Sequence, residues 1–242
     1  MLYVVDGDFT YTIEGRSYKP RRHDLIFVRP GKNHHITFLS RDLPYRRYNM
    51  LVSPRIFPRD LYDALPDDAD VISFENNETV KNLFEQLEFY SNALEGEAKE
   101  KLFTALICEL FCQFAISARD PENRRPSSTN RTLDTALKYI EDSLCDNISI
   151  DSICQRLFIT KSHLHHLFIE NMKISPKRYV NQKRLLLARR KIRHGEAPSD
   201  VYRTCGFSDY TTFYRNYKNY FGYEPSLEGR AEAKLTVPPI DL

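Results

Sequence analysis

The chain has no run of 18 or more apolar residues, so no membrane-spanning helix is expected. Its first residues, MLYVVDGDFT, lack the basic-then-apolar layout of a secretory leader. Cysteine is sparse and scattered: Cys108, Cys112, Cys145, Cys154 and Cys205 follow no disulfide framework. These absences together predict a cytoplasmic protein. Cys108 and Cys112 read as core residues of a helix, because no third or fourth metal ligand lies near them in sequence. What is present is ordinary for a folded, two-domain chain: 242 residues, 41% hydrophobic and 28% charged.

Charge is divided unevenly. Residues 1–130 hold 17 Lys+Arg against 20 Asp+Glu, and residues 131–242 hold 18 against 13. The basic half also carries His163, His165, His166 and His194. Such a division fits one domain that meets phosphate and one that does not.

The first half begins as β structure. Tyr3-Val4-Val5 precedes Asp6-Gly7-Asp8, a hairpin signal, and the alternating run Phe9 to Ile13 ends at the tight-turn sequence Glu14-Gly15-Arg16. Leu25 to Val28 is a short apolar strand that leads into Arg29-Pro30-Gly31-Lys32-Asn33-His34-His35. Gly7 to Gly15, followed by Asp24 to His34, resembles the cupin barrel. Cupin enzymes hold a metal with histidines and a glutamate from two motifs. Only the second has a counterpart here, in His34 or His35, so neither metal nor cofactor is expected. The start of the first motif would lie before Met1, which predicts a reduced barrel or a segment upstream. Tyr3, Tyr11, Arg29 and His34 are the candidate effector contacts, a lining compatible with a sugar or another small polar metabolite and also with no ligand. Beyond Pro58 the apolar spacing becomes helical, and residues 79–94 and 97–118 form a helical hairpin that covers the barrel or pairs two copies. The polar stretch 119–130, with Pro121 and Pro126, reads as a linker.

The second half holds one pattern twice. Residues 199–205 read as a short helix. Gly206-Phe207-Ser208 breaks it, and a longer helix follows, capped by Ser208 or Asp209, with Phe213, Tyr217 and Phe221 as its buried stripe. Residues 149–171 repeat this. Ile153, Leu157, Ile159 and Thr160 match Val201, Cys205, Phe207 and Ser208 at an offset of 48 residues. After a one-residue insertion, Leu164, His166, Phe168 and Pro176 match Phe213, Arg215, Tyr217 and Pro225 at an offset of 49. Two unrelated amphipathic hairpins would not share this order of apolar, turn and proline positions. Two helix–turn–helix units, 149–171 and 198–221, joined by a helix over 176–194, suit adjacent major-groove segments of DNA. Tyr179, Val180, Leu186, Leu187 and Ile192 form the apolar side of the joining helix.

From about Arg131 to Arg230 the chain resembles the AraC/XylS family of bacterial transcription regulators. The resemblance is carried by Thr160, Leu164 and Phe168, by Ser175-Pro176 with Tyr179, by Arg184 with Ala188, and above all by Gly206-Phe207-Ser208, Phe213 and Phe221-Gly222-Tyr223 with Pro225. It implies an α+β chain of two domains. Residues 1–118 would be a cupin-like sensing and dimerisation domain, a partial β-barrel with its helical hairpin. Residues 119–130 would be a linker, 131–232 the DNA-binding domain and 233–242 a tail. The implied partners are promoter double-stranded DNA, RNA polymerase, a small-molecule effector and a second copy through helices 79–118. A cupin-type metal enzyme and a non-specific DNA-binding protein are the competing readings.

Ser162, His165 and His166 in the first unit and Tyr210, Thr211, Tyr214 and Arg215 in the second are the candidate base contacts. Arg is the commonest specific reader of guanine. Arg156, Lys161, Arg189 and Lys218 are the candidate phosphate contacts. Arg184 is also a candidate structural residue, pairing with an acid of the first unit. Two departures from the family stand out: His165 and His166 occupy positions usually held by Arg or Gln, and Lys173 stands where a glycine closes the matching helix.

Overall fold

The computed structural model describes residues 1–40, 44–146 and 148–228. The expected tail, 233–242, and the end of the expected DNA-binding domain at 232 lie outside the described residues. The chain divides into two compact units, Met1–Ser128 and Thr129–Leu242.

The first unit contains β1 (Leu2–Asp6), β2 (Phe9–Ile13), β3 (Arg16–Tyr18), β4 (Asp24–Ile26), β5 (His34–Phe38), β6 (Arg46–Asn49), α1 (Arg59–Asp63), β7 (Val71–Ser73), α2 (Glu78–Ala93), α3 (Gly96–Ser117) and β8 (Ser127–Ser128). Among the described residues the strands form two four-stranded sheets, β6-β1-β4-β7 and β5-β2-β3-β8, and no closed barrel. Alternation along the strands decides what each face meets. Leu2, Val4, Ile26 and Val71 join Phe9, Tyr11, Ile13 and Tyr18 of the second sheet in one core. Their sequence neighbours Tyr3, Leu25 and Ile72 point the other way and pack with Leu83, Phe84, Leu110, Phe111 and Phe114 of the helical hairpin.

Glu14-Gly15 makes the expected tight turn, with φ of 47° and 78° and Ile13 opposite Arg16. Asp6-Gly7-Asp8 does not make a hairpin: β1 pairs with β4 and β6, whereas β2 pairs with β3 and β5. The turn carries the chain from one sheet to the other, because both faces of β1 are apolar enough to be buried. Cys108 and Cys112 are half-buried on α3 and lie outside the fully buried core.

The stretch read as a linker is largely part of this unit. β8 pairs with β3, Ser17 opposite Ser128 and Tyr18 opposite Ser127. Arg125 grips the fully buried Asp24 carboxylate with bonds of 2.8 and 2.9 Å, and Arg124 reaches Asp68 at 3.1 Å. Polar side chains supply these contacts, so a polar composition concealed an ordered edge.

The second unit is helical: α4 (Arg131–Asp142), α5 (Ile150–Leu157), α6 (Lys161–Met172), α7 (Pro176–Arg193), α8 (Pro198–Thr204) and α9 (Tyr210–Phe221). Asn130, Ser149, Thr160, Ser175 and Asp209 cap helix N-termini with their side chains. There are two cores. Leu133, Ile140, Ile153, Leu164 and Phe168 form the first, and Val201, Cys205, Phe213 and Tyr217 form the second. α7 contributes Tyr179 and Val180 to the first and Leu185 and Ala188 to the second. Tyr179, Val180, Leu185 and Ala188 are thus its buried contacts, while Leu186, Leu187 and Ile192 are only half-buried.

Candidate nucleic-acid interface

The two helical heads match at the backbone. α5 is followed by its cap Phe158, φ 55°, and the turn after α8 holds Gly206, φ 80°. α6 is capped by Lys173, φ 56°, and α9 by Gly222, φ 80°. α6 and α9 are each 12 residues long. Their caps are Thr160, accepting from the His163 N–H, and Asp209, accepting from the Thr212 N–H at 2.7 Å. Thr160 therefore corresponds to Asp209, and the inserted residue is Ser208. The bond from Thr212 holds the Asp209 carboxyl below its usual range.

Left-handed backbone at Phe158 and Lys173 costs the first head what glycine saves the second. Phe158 is also 95% exposed, so its ring contributes little packing in return. Replacing Lys173 or Phe158 by Gly is expected to stabilise the protein by about 1 kcal/mol each, read by chemical denaturation. A loss of stability in both would show that these side chains hold their turns.

Ser162, His165 and His166 are exposed on α6, as are Tyr210, Thr211 and Arg215 on α9. Tyr214 is half-buried, and its hydroxyl meets Glu224; that hydrogen bond raises the phenol's pKa and lowers the carboxyl's. Among the candidate phosphate contacts, Arg156 is exposed, Lys161 pairs with Asp151 at 2.6 Å and Lys218 with Glu224 at 3.6 Å. Such exposed pairs are weak and exchange readily for a phosphate.

Arg189, the fourth candidate phosphate contact, is bound within its own domain. Its Nε donates to the fully buried Glu228 at 2.8 Å, and its guanidinium lies 4.7 Å from the centre of the Phe221 ring. Arg193 Nε donates to the same Glu228 oxygen at 2.7 Å. The hydroxyls of Tyr217 and Tyr223 donate to the other oxygen. Burial alone would raise the Glu228 pKa, but its bonds from Arg189, Tyr217, Tyr223 and Arg193 outweigh that and hold it below the usual range. This cluster is barely legible in the sequence. Its one signal was two arginines four apart on α7 beside an apolar side that a following acid could close. Arg184 has no acidic partner among the described residues; it donates to the backbone carbonyls of Leu144 at 3.1 Å and Asp146 at 2.9 Å.

The four effector candidates do not converge. Tyr3 faces the helical layer, stacked on Phe84 at 3.8 Å, with its hydroxyl on His23 Nδ1 at 2.7 Å. Arg29 ties down the loop before β7, donating to the carbonyls of Leu65 and Pro66. Tyr11 and His34 do meet, with near-parallel rings 6.0 Å apart. Among the described residues no group of three or more His, Cys, Asp or Glu could hold a metal, and no helix is long and apolar enough to cross a membrane.

Two family models match the chain. The AraC-like ligand binding domain covers residues 1–106, and a helix-turn-helix domain covers residues 153–227. The transcriptional activator RhaS of Escherichia coli K12 is 27% identical over 229 residues, which span 93% of this chain and 79% of RhaS. Among solved structures, an AraC-type regulator from Chromobacterium violaceum overlays 44% of this chain and 96% of its own, with 24% identity and a TM-score of 0.40. A probable AraC family regulator from Rhodopseudomonas palustris overlays 42% of this chain and 98% of its own, with 23% identity and a TM-score of 0.39.

Proposed function

We propose, from the match of both its halves to the AraC-like ligand binding and helix-turn-helix family models, that this chain works as a sequence-specific, DNA-binding transcription regulator of the AraC/XylS family and activates transcription by placing α6 and α9 in adjacent major-groove segments of promoter DNA. The observation that carries this reading is the backbone-matched pair of capped helices held on one connecting helix. At about 1.5 Å per residue, the 18 residues of α7 span roughly 27 Å, close to the ~34 Å between successive groove faces. In this reading Ser162, His165, His166, Tyr210, Thr211, Tyr214 and Arg215 meet bases, and Arg156, Lys161 and Lys218 meet phosphates. Place of action is the cytoplasm, and RNA polymerase is the partner that activation requires.

The first unit senses a small polar metabolite in this reading, and the Tyr11–His34 pair is where a sugar ring would stack. Phe89 and Ile116, which are 65% and 56% exposed on α2 and α3, supply apolar surface for a second copy. Footprinting on DNA upstream of the protein's own and neighbouring genes tests the core of the proposal. An asymmetric protected site of about two helical turns is expected. Uniform protection at all sequences would favour non-specific binding instead.

A further inference from the structure

We propose that Arg184 fixes the distance and rotation between the two heads, and thereby selects operators by the number of base pairs between their half-sites. The inference rests on the two-headed reading above. α7 leaves the first core at Val180 and enters the second at Leu185, and Arg184 lies at that step. On one side its guanidinium donates to the carbonyls of Leu144 and Asp146, in the segment that joins α4 to α5. On the other side it lies against Gly206, the turn of the second head. A β-carbon at Gly206 would come within 2.6 Å of Arg184 Nε and 2.8 Å of its Cζ. Gly206 is thus required twice, by its φ of 80° and by the approach of this side chain.

One planar group therefore touches the first head's loop and the second head's turn together. Arg184 is half-buried between the two contacts. The guanidinium fork presents its donors in fixed directions, so two carbonyls define its plane and the plane limits how the second head rolls against it. Lysine offers a single, rotatable point of attachment. Each added base pair moves a half-site by about 3.4 Å and turns it by about 34°, a change that two rigidly held heads cannot follow.

The test uses the full chain and a site selected by it from random-sequence duplex DNA. That site is remade with one base pair inserted, or one removed, between the half-sites. Wild-type protein is expected to lose about tenfold or more in affinity for either altered site, comparable to a mismatched base pair. Arg184→Ala and Arg184→Lys are expected to bind the parent site a few-fold more weakly, with the spacing penalty reduced to about threefold or less. Thermal unfolding is followed in parallel; if Arg184→Ala does not fold, Arg184→Lys carries the test. Variants that unfold like wild type and keep the full spacing penalty would overturn the role of Arg184. If wild type itself tolerates both spacings, the role of Arg184 falls while the two-headed reading stands; if wild type protects a single half-site, the two-headed reading falls and this inference falls with it.

Discussion

Glu228→Ala is expected to lower the stability of the protein by about 3–5 kcal/mol, the cost of removing one partner from a buried ion pair. The carboxylate is fully buried and accepts from Arg189, Arg193, Tyr217 and Tyr223. Without it, two guanidinium groups of α7 face each other, and the Tyr217 hydroxyl loses its acceptor inside the core. Chemical denaturation measures the effect, and a loss below about 1 kcal/mol would mean that the cluster relaxes into solvent at little cost.

The same site gives a pH dependence with a definite sign. The Glu228 pKa is held below the usual glutamate value of about 4. Its contribution is then complete above that ordinary value and is lost as pH falls through the lower native value. Wild-type stability is therefore expected to fall more steeply in acid than that of Glu228→Gln, whose amide does not titrate there.

Arg215→Ala is expected to weaken binding to the selected site by about 1–3 kcal/mol and to relax discrimination at one base position. Arg215 is exposed on α9, one helical turn beyond the exposed Thr211. Lys161→Ala provides the contrast. Lys161 pairs with the exposed Asp151, so its loss is expected to weaken all sequences alike and to reduce the salt dependence of binding by about one phosphate contact. Competition binding against single-base variants of the site, at two salt concentrations, separates these outcomes. If Arg215→Ala weakened every sequence equally, Arg215 would be a backbone contact and base readout by α9 would rest on Tyr210, Thr211 and Tyr214.

The two heads were legible in the chain because helical spacing and turn chemistry are local. Phe213 and Tyr217 recur every four residues, Gly206 and Gly222 stand where left-handed backbone is needed, and a hydroxyl or carboxylate precedes each long helix. Even the awkward positions were visible: Lys173 stands opposite Gly222 in the repeat, and its φ of 56° is the left-handed value that the match implies. The one local error, placing the inserted residue after Ser208, arose because Ser208 and Asp209 are both competent caps.

Residues whose roles depend on distant partners could not be read in the same way. Arg189 lies on a basic helix like a phosphate contact, and its bond to Glu228, 39 residues later, could not be read from that helix. Arg184 invited an acidic partner and found two carbonyls. The stretch 119–128 has the composition of a linker, yet Arg125 binds Asp24 from 101 residues away and β8 completes a sheet edge. In the first unit, strand alternation was plain, but which sheet each strand joined was not, so the hairpin expected at Asp6-Gly7-Asp8 became a crossing between sheets.

The amino-acid sequence by itself determined the repeated helical heads, their caps and their turns, because each is stabilised by residues within one or two helical turns of itself. Tertiary structure alone decided which cations face solvent and which are held inside. That choice depends on whether a carboxylate or carbonyl from a distant segment closes over the guanidinium and offsets its loss of water.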